Sequence, residues 1–174
     1  MASSEARQRG EELADSWERT GVARCSGDGA TRAGLDGPSC VVIAQAGGEG
    51  GQILKATLEQ SGFEVVPAED GVAALELVCA VGPDAIIADL DGRGLDGLVL
   101  CQVLRGLRAH ATLPVLMLTA DHGDAARART LAALGGVRVI HKPAGSAAVA
   151  GALSEMIKVA GGRATQLLSP QASR

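Results

Sequence analysis

PDAIIADLDGRGLDG, residues 83–97, contains the run DAIIADL (84–90), whose centre, Ala85 to Ala88, does not alternate with polar residues. A half-buried strand alternates with period two, so a short run that is apolar at every position reads as a strand covered on both faces, as in a parallel sheet. Four more apolar runs lie outward from it: CVVIA (40–44) and FEVVPA (63–68) before, PVLMLTA (114–120) and VRVIH (137–141) after; three of the five are nearly continuous, without alternation. The stretches between them have helical period. The first helix, about 50–61, is expected to place Ile53, Leu54, Thr57 and Leu58 on one face and to stop at Gly62. The second runs from Asp70 to Gly82-Pro83, and the third carries Leu100, Cys101, Leu104 and Leu107. An Ala-rich fourth ends at Gly135-Gly136. The last sets Val149, Ala152, Leu153, Met156, Ile157 and Ala160 on one stripe, with Ser146 as its cap. Strict alternation of strand and helix over 39–160 predicts a doubly wound α/β domain with right-handed crossovers.

The rest of the chain divides from this block by composition. Residues 1–38 hold a short polar stretch that could form a helix, then a Gly-, Ser- and Pro-containing segment without apolar periodicity. They read as a disordered or partly helical arm and linker, with Trp17 as a solvated, partly ordered side chain. Residues 161–174 read as a flexible tail too short for a DNA-binding output domain, which predicts a stand-alone protein. Aromatic residues are 1% of the 174, with one Trp, one Phe and no Tyr, so the core must be aliphatic. That composition excludes base stacking, and a net charge of -4 denies a basic nucleic-acid footprint. No run of about 18 apolar residues or signal-like segment occurs, which predicts a soluble cytoplasmic protein with no membrane contact. Cys25, Cys40, Cys79 and Cys101 show no metal-site spacing and read as reduced, mostly buried thiols; His110, His122 and His141 form no ligand motif.

In open sheets of this class, ligands bind beyond the carboxyl ends of the strands at the topological switch point. Those ends carry Gln45-Ala46, Asp89-Leu90-Asp91, Thr119-Ala120 and Lys142-Pro143, so an acid, a hydroxyl and an amine converge. Taken singly, Thr119 is an ordinary β-branched strand residue and Lys142 an ordinary strand-end lysine. In this order, with Asp96-Gly97 downstream of Asp89 and Pro143 after Lys142, the sequence resembles the receiver domain of two-component response regulators along about 39–160. The resemblance implies a flavodoxin-like five-stranded parallel sheet in order 2-1-3-4-5, with Val42, Ile86, Ile87, Val115 and Met117 inside. It also implies Asp89 as phosphoacceptor, Thr119 as the switch hydroxyl and Lys142 as the cation that pairs with a phosphoryl oxygen. Phosphoryl transfer to a carboxylate needs such parts: an in-line nucleophile, a charge-neutralising cation and donors that recognise the product.

Two departures from the family pattern stand out. The adjacent acids of its first strand end are replaced by Gln45 and Ala46, neither of which ionises. Magnesium is held through carboxylates and waters, so Mg2+ binding is expected to be weak, with Asp89 and Asp91 as metal ligands and Glu49 as a further suspect. The fifth-strand position commonly Tyr or Phe is Val139, so no ring can rotate there. The loop AGGEGGQ (46–52) matches no phosphate-binding glycine motif and reads as a flexible loop.

The expected function is a stand-alone receiver, not an enzyme, that accepts a phosphoryl group on Asp89 from a histidine kinase or phosphotransfer protein. It would signal by contact with a downstream protein or by homodimerisation through the fourth helix, fifth strand and fifth helix, with Arg127, Arg129, Arg138 and Lys158 as a charged rim. The alternative is a degenerate pseudo-receiver acting as a phosphorylation-independent interaction module, which Gln45, Ala46 and Val139 favour.

Overall fold

All five residues of Cys40–Ala44 (β1) are buried, as an uninterrupted apolar run at the centre of a sheet must be. A computed structural model describes residues 37–44, 49–91, 95–120 and 125–168. Around β1 the chain adds Glu64–Ala68 (β2), Ala85–Asp89 (β3), Val115–Thr119 (β4) and Val137–His141 (β5) in the order β2-β1-β3-β4-β5. Every pairing is parallel. The order reverses between β1 and β3, which puts the switch point at their carboxyl ends. Pro67, which has no N–H to give a ladder, lies exposed in edge strand β2.

The helices among the described residues are Glu49–Gln60 (α1), Gly71–Val81 (α2), Gly97–Gly106 (α3), Ala125–Ala133 (α4) and Ser146–Leu168 (α5), with a 3-10 turn at Arg108–His110. Strand alternation sends Val42, Ile86, Ala88, Val115 and Met117 to one core, with Ala74, Leu77 and Val78 of α2, Leu100 and Leu104 of α3, and Leu131 of α4. The intervening residues Val41, Ile43, Ile87, Leu116 and Leu118 meet Leu54 and Leu58 of α1 and Val149 and Leu153 of α5. Val42, Ile86, Ile87, Val115 and Met117 are wholly inside, as expected. The largest fully buried side chains are all Leu, Ile, Met or Val, each worth about 1.5–3 kcal/mol on burial.

Local signals set the element ends. Asp70 caps α2 by accepting from Val72 N–H at 2.9 Å and Ala73 N–H at 2.8 Å, and Gly82, left-handed at φ 60, closes it. Asp96 caps α3 by accepting from Leu98 N–H at 2.8 Å. At the amino-terminal ends of β1 and β3, buried Asp84 accepts from Cys40 N–H at 2.8 Å while its own N–H donates to Cys40 O at 2.8 Å.

Several details differ from the sequence reading. Ile53 is exposed, because the buried stripe of α1 is the narrow i, i+4 pair Leu54 and Leu58, and Ile53 stands one helical step of about 100° off it. Leu107 follows α3 as its half-buried C-cap residue, its N–H donating to Val103 O and Leu104 O. Ser146 is the first residue of α5 rather than its cap. Ala148 and Val149 N–H donate to Gly145 O, and the Ser146 hydroxyl accepts from Thr57 Oγ1 at 3.0 Å, tying α1 to α5. α5 also continues to Leu168, through Gly161 and Gly162, where a tail was expected from 161. Glycine costs about 1 kcal/mol in a helix interior, which weakens an already propagating helix without ending it. Gly50, Gly51 and Gln52 of the expected glycine loop belong to the first turns of α1. The arm at 1–36, Trp17, Gln45 and Ala46 lie outside the described residues.

Candidate functional site

Asp89 ends β3, the central strand of the sheet. The ladder continues one residue further, Leu90 N–H donating to Leu118 O at 2.7 Å, which fixes the backbone on both sides of the carboxylate. On the next strand Thr119 ends β4 with its side chain buried. Lys142 N–H donates to Thr119 O at 2.7 Å, so the chain leaving β5 is held against the end of β4. The bond from Lys142 to Pro143 is cis.

This framework brings Lys142 Nζ to 2.6 Å from Asp89 Oδ1. The aspartate side chain is 19% exposed and the lysine 35%, so the pair sits at the mouth of the crevice, not in open solvent. Oδ1 itself is buried and has no aligned hydrogen-bond donor. The contact is thus a close ion pair of poor hydrogen-bond angle, leaving the carboxylate oxygen with accepting capacity unused.

Helix α3 presses against the same strand end. A Cβ on Gly97 would lie 2.9 Å from both Asp89 O and Leu90 Cα, and 3.0 Å from the Met117 sulfur, so only glycine fits. Likewise Gly71, at the start of α2, would meet Leu95 O at 2.8 Å. These two close approaches seat the loop between β3 and α3.

The loop's carboxylates face a cation from α4. Arg127 Nη1 donates to Asp91 Oδ1 at 2.9 Å and Nη2 to Asp96 Oδ2 at 2.5 Å, with Leu90 O a further acceptor at 3.4 Å. Burial works against the arginine's charge, but its hydrogen bonds and charge contacts with Asp91 and Asp96 outweigh that and hold its pKa above the ordinary value. Arg138, also expected on a partner-facing rim, pairs with Glu155 Oε2 of α5 at 2.9 Å.

Of the residues singled out from sequence, Asp89 and Lys142 are in contact and Thr119 ends the strand beside Asp89. Asp91, expected as a metal ligand, pairs with Arg127. Val139 is half-buried in edge strand β5. The sequence reading missed the role of Arg127 at the crevice, since it lies 36 residues from Asp91 and no local motif links them. The closeness of Gly97 had a visible signal, the Asp96-Gly97 step opening a helix directly after the acceptor loop.

A magnesium ion does not fit this donor set well. A hard divalent cation takes six or more oxygens, usually with several carboxylates in place. Asp89 is already against Lys142, Asp91 is held by Arg127, and the sequence puts Gln and Ala at 45 and 46. Among the described residues no group of three or more His, Cys, Asp or Glu could hold a metal ion.

Comparison with known proteins agrees with this architecture. The family model described as the response regulator receiver domain matches residues 49–154. Response regulator MprA of Mycobacterium tuberculosis is 42% identical over 67 residues, 38% of this chain and 28% of that protein, so the chain matches well under a third of this relative. The crystal structure of a putative response regulator from Chloroflexus aurantiacus is 28% identical with a TM-score of 0.63, covering 70% of this chain and 98% of that one. A receiver domain of a Pseudomonas aeruginosa sensor histidine kinase, described with a magnesium ion coordinated in its active site cleft, shares the fold at 22% identity and a TM-score of 0.62, covering 70% of this chain and 98% of its own. With the strand order, the Asp89–Lys142 pair and the family match in agreement, this chain belongs to the response regulator receiver domains of two-component signalling.

Proposed function

We propose that this chain accepts a phosphoryl group on Asp89 and passes the signal on by protein contact. Response regulators work with histidine kinases or phosphotransfer proteins, and in this reading the donor is the phosphohistidine of such a partner. The observation that carries the reading is Lys142 Nζ standing 2.6 Å from a buried, unaligned oxygen of Asp89. A carboxylate oxygen of Asp89 attacks phosphorus in line with the donor's P–N bond. That bond breaks with its electron pair returning to the imidazole, and a new P–O bond makes the acyl phosphate. Lys142 then pairs with one phosphoryl oxygen and the Thr119 hydroxyl donates to another. No step is routed through a metal ion, and magnesium binding is weak in this reading.

The finer assignments go with it. The receiver unit is 39–160 with the continuation of α5, preceded by the arm at 1–38. The chain acts as a stand-alone receiver, a signalling module and not an enzyme, without direct nucleic-acid contact. A second copy or a downstream protein docks on α4, β5 and α5. We place it in the cytoplasm, where the buried thiols of Cys40 and Cys101 stay reduced. No helix among the described residues is long and apolar enough to cross a membrane.

Intact-mass measurement of the full chain after incubation with a small phosphodonor tests the central claim. Wild type should gain the mass of one phosphoryl group, and Asp89→Asn should gain none. A wild type that stays unlabelled both with and without magnesium overturns the reading in favour of a phosphorylation-independent interaction module.

A further inference from the structure

The loop after Asp89 carries two carboxylates that a divalent cation could claim, and one side chain of the protein holds both. β3 ends at Asp89, and Asp91 follows two residues on in the turn, so among the described residues its carboxylate is the next one along the chain after Asp89. Its Oδ1 accepts from Arg127 Nη1 at 2.9 Å, while Nη2 of the same guanidinium reaches Asp96 Oδ2 at 2.5 Å and Leu90 O at 3.4 Å.

We infer that Arg127 is the resident cation of this crevice, excluding a divalent metal ion from Asp91 and holding the β3–α3 loop in the position such an ion would otherwise organise. The guanidinium is planar and forked, which suits three acceptors along one loop. Among the described residues Lys142 stands on Asp89 and Arg127 on Asp91 and Asp96, so an entering divalent ion meets carboxylates already paired and is repelled by the arginine it must displace. The loop's attachment to α4 also differs in kind from a metal bridge. It joins the residues after Asp89 to a helix that lies beyond Thr119 in the chain.

The two loop carboxylates are about half exposed, at 53% and 46% of their side-chain surface. Solvent-exposed ion pairs are modest, so the exclusion is worth a several-fold change in affinity, not orders of magnitude. The inference rests on the crevice assignment under Proposed function. Its test contains no phosphodonor, so a failure of Asp89 labelling and a failure of this inference are separate results.

The experiment is a Mg2+ titration of the full chain by calorimetry, extended to the millimolar range with Mn2+ and water-proton relaxation. Arg127→Ala should bind about fivefold more tightly than wild type, equivalent to about 1 kcal/mol. Arg127→Lys, a point charge without the fork, should fall between the two. Asp91→Asn should change the wild-type affinity less than about twofold, since the arginine already occupies that carboxylate, and should abolish the gain when combined with Arg127→Ala. Unchanged or weaker binding in folded Arg127→Ala overturns the inference, as does a gain that persists in the double variant. Should Arg127→Ala fail to fold, Asp91→Asn alone decides: a marked loss of Mg2+ affinity means Asp91 is already a ligand and the arginine excludes nothing.

Discussion

Gly97 has little freedom to change. A methyl there would stand 2.9 Å from Asp89 O and Leu90 Cα, both backbone atoms that cannot swing aside like the end of a side chain. Gly97→Ala should cost about 1–3 kcal/mol of stability, the range for forcing extra volume into a packed site. Urea unfolding would measure it, and slower labelling of Asp89 should accompany the loss because the acceptor strand end must move. A second residue-scale prediction concerns Gln45 and Ala46. Replacing both with Asp adds two carboxylates at the end of β1, and should tighten Mg2+ binding by about tenfold or more and speed labelling of Asp89. Calorimetry and intact mass read the two effects. At this scale the meeting of Asp89, Thr119 and Lys142 was legible, because each stands at a fixed place in an ordered set of strand ends. Arg127 was not, since its partners Asp91 and Asp96 are neighbours only once α4 has docked.

Elements were read best where composition left one solution. The strands of this sheet are short apolar runs, and their observed bounds match those runs or fall one residue short at one or both ends. Helix faces and caps were read less well, because Ile53 and Ser146 each satisfied a local rule that tertiary contacts overrode. A prediction belongs to the short 3-10 turn after α3. His110 lies there half-buried, with its N–H donating to Leu107 O at 2.9 Å, and burial pushes its pKa below the ordinary 6.5. The unfolded chain therefore takes up a proton near pH 6.5 that the folded chain resists. Stability is retained above that pH and declines as pH falls through it. His110→Gln should make the fall in urea midpoint between pH 7.5 and 5.5 shallower, by a small amount given the partial exposure of the ring. A slope identical to that of wild type would show that burial does not hold the imidazole neutral.

The whole molecule is a sheet with two separate aliphatic cores, joined through strands whose alternate residues feed each side. Among the described residues both cores begin at β1, and the folding unit is expected not to need the arm. A chain trimmed to residues 37–174 should keep its thermal midpoint within about 2 °C of the full chain, a shift smaller than that expected for a loss of 1 kcal/mol in a domain of this size. A much larger drop would place part of the arm against the receiver unit.

Those aliphatic cores also decide how the protein can be observed. The sequence has no Tyr, its one Trp is Trp17 in the arm, and its one Phe is half-buried Phe63. Intrinsic fluorescence therefore reports on the arm and near-ultraviolet dichroism carries almost nothing from either core, so a silent optical transition says nothing about unfolding. The same composition fills both cores with methyl groups from Leu, Ile, Val, Ala and Met. Methyl resonances in NMR thus sample each face of the sheet separately, with Val42 and Met117 on one side and Ile43 and Leu116 on the other. A signal that crosses from the Asp89 crevice to the α1–α5 face would be visible there and in no absorbance or fluorescence trace.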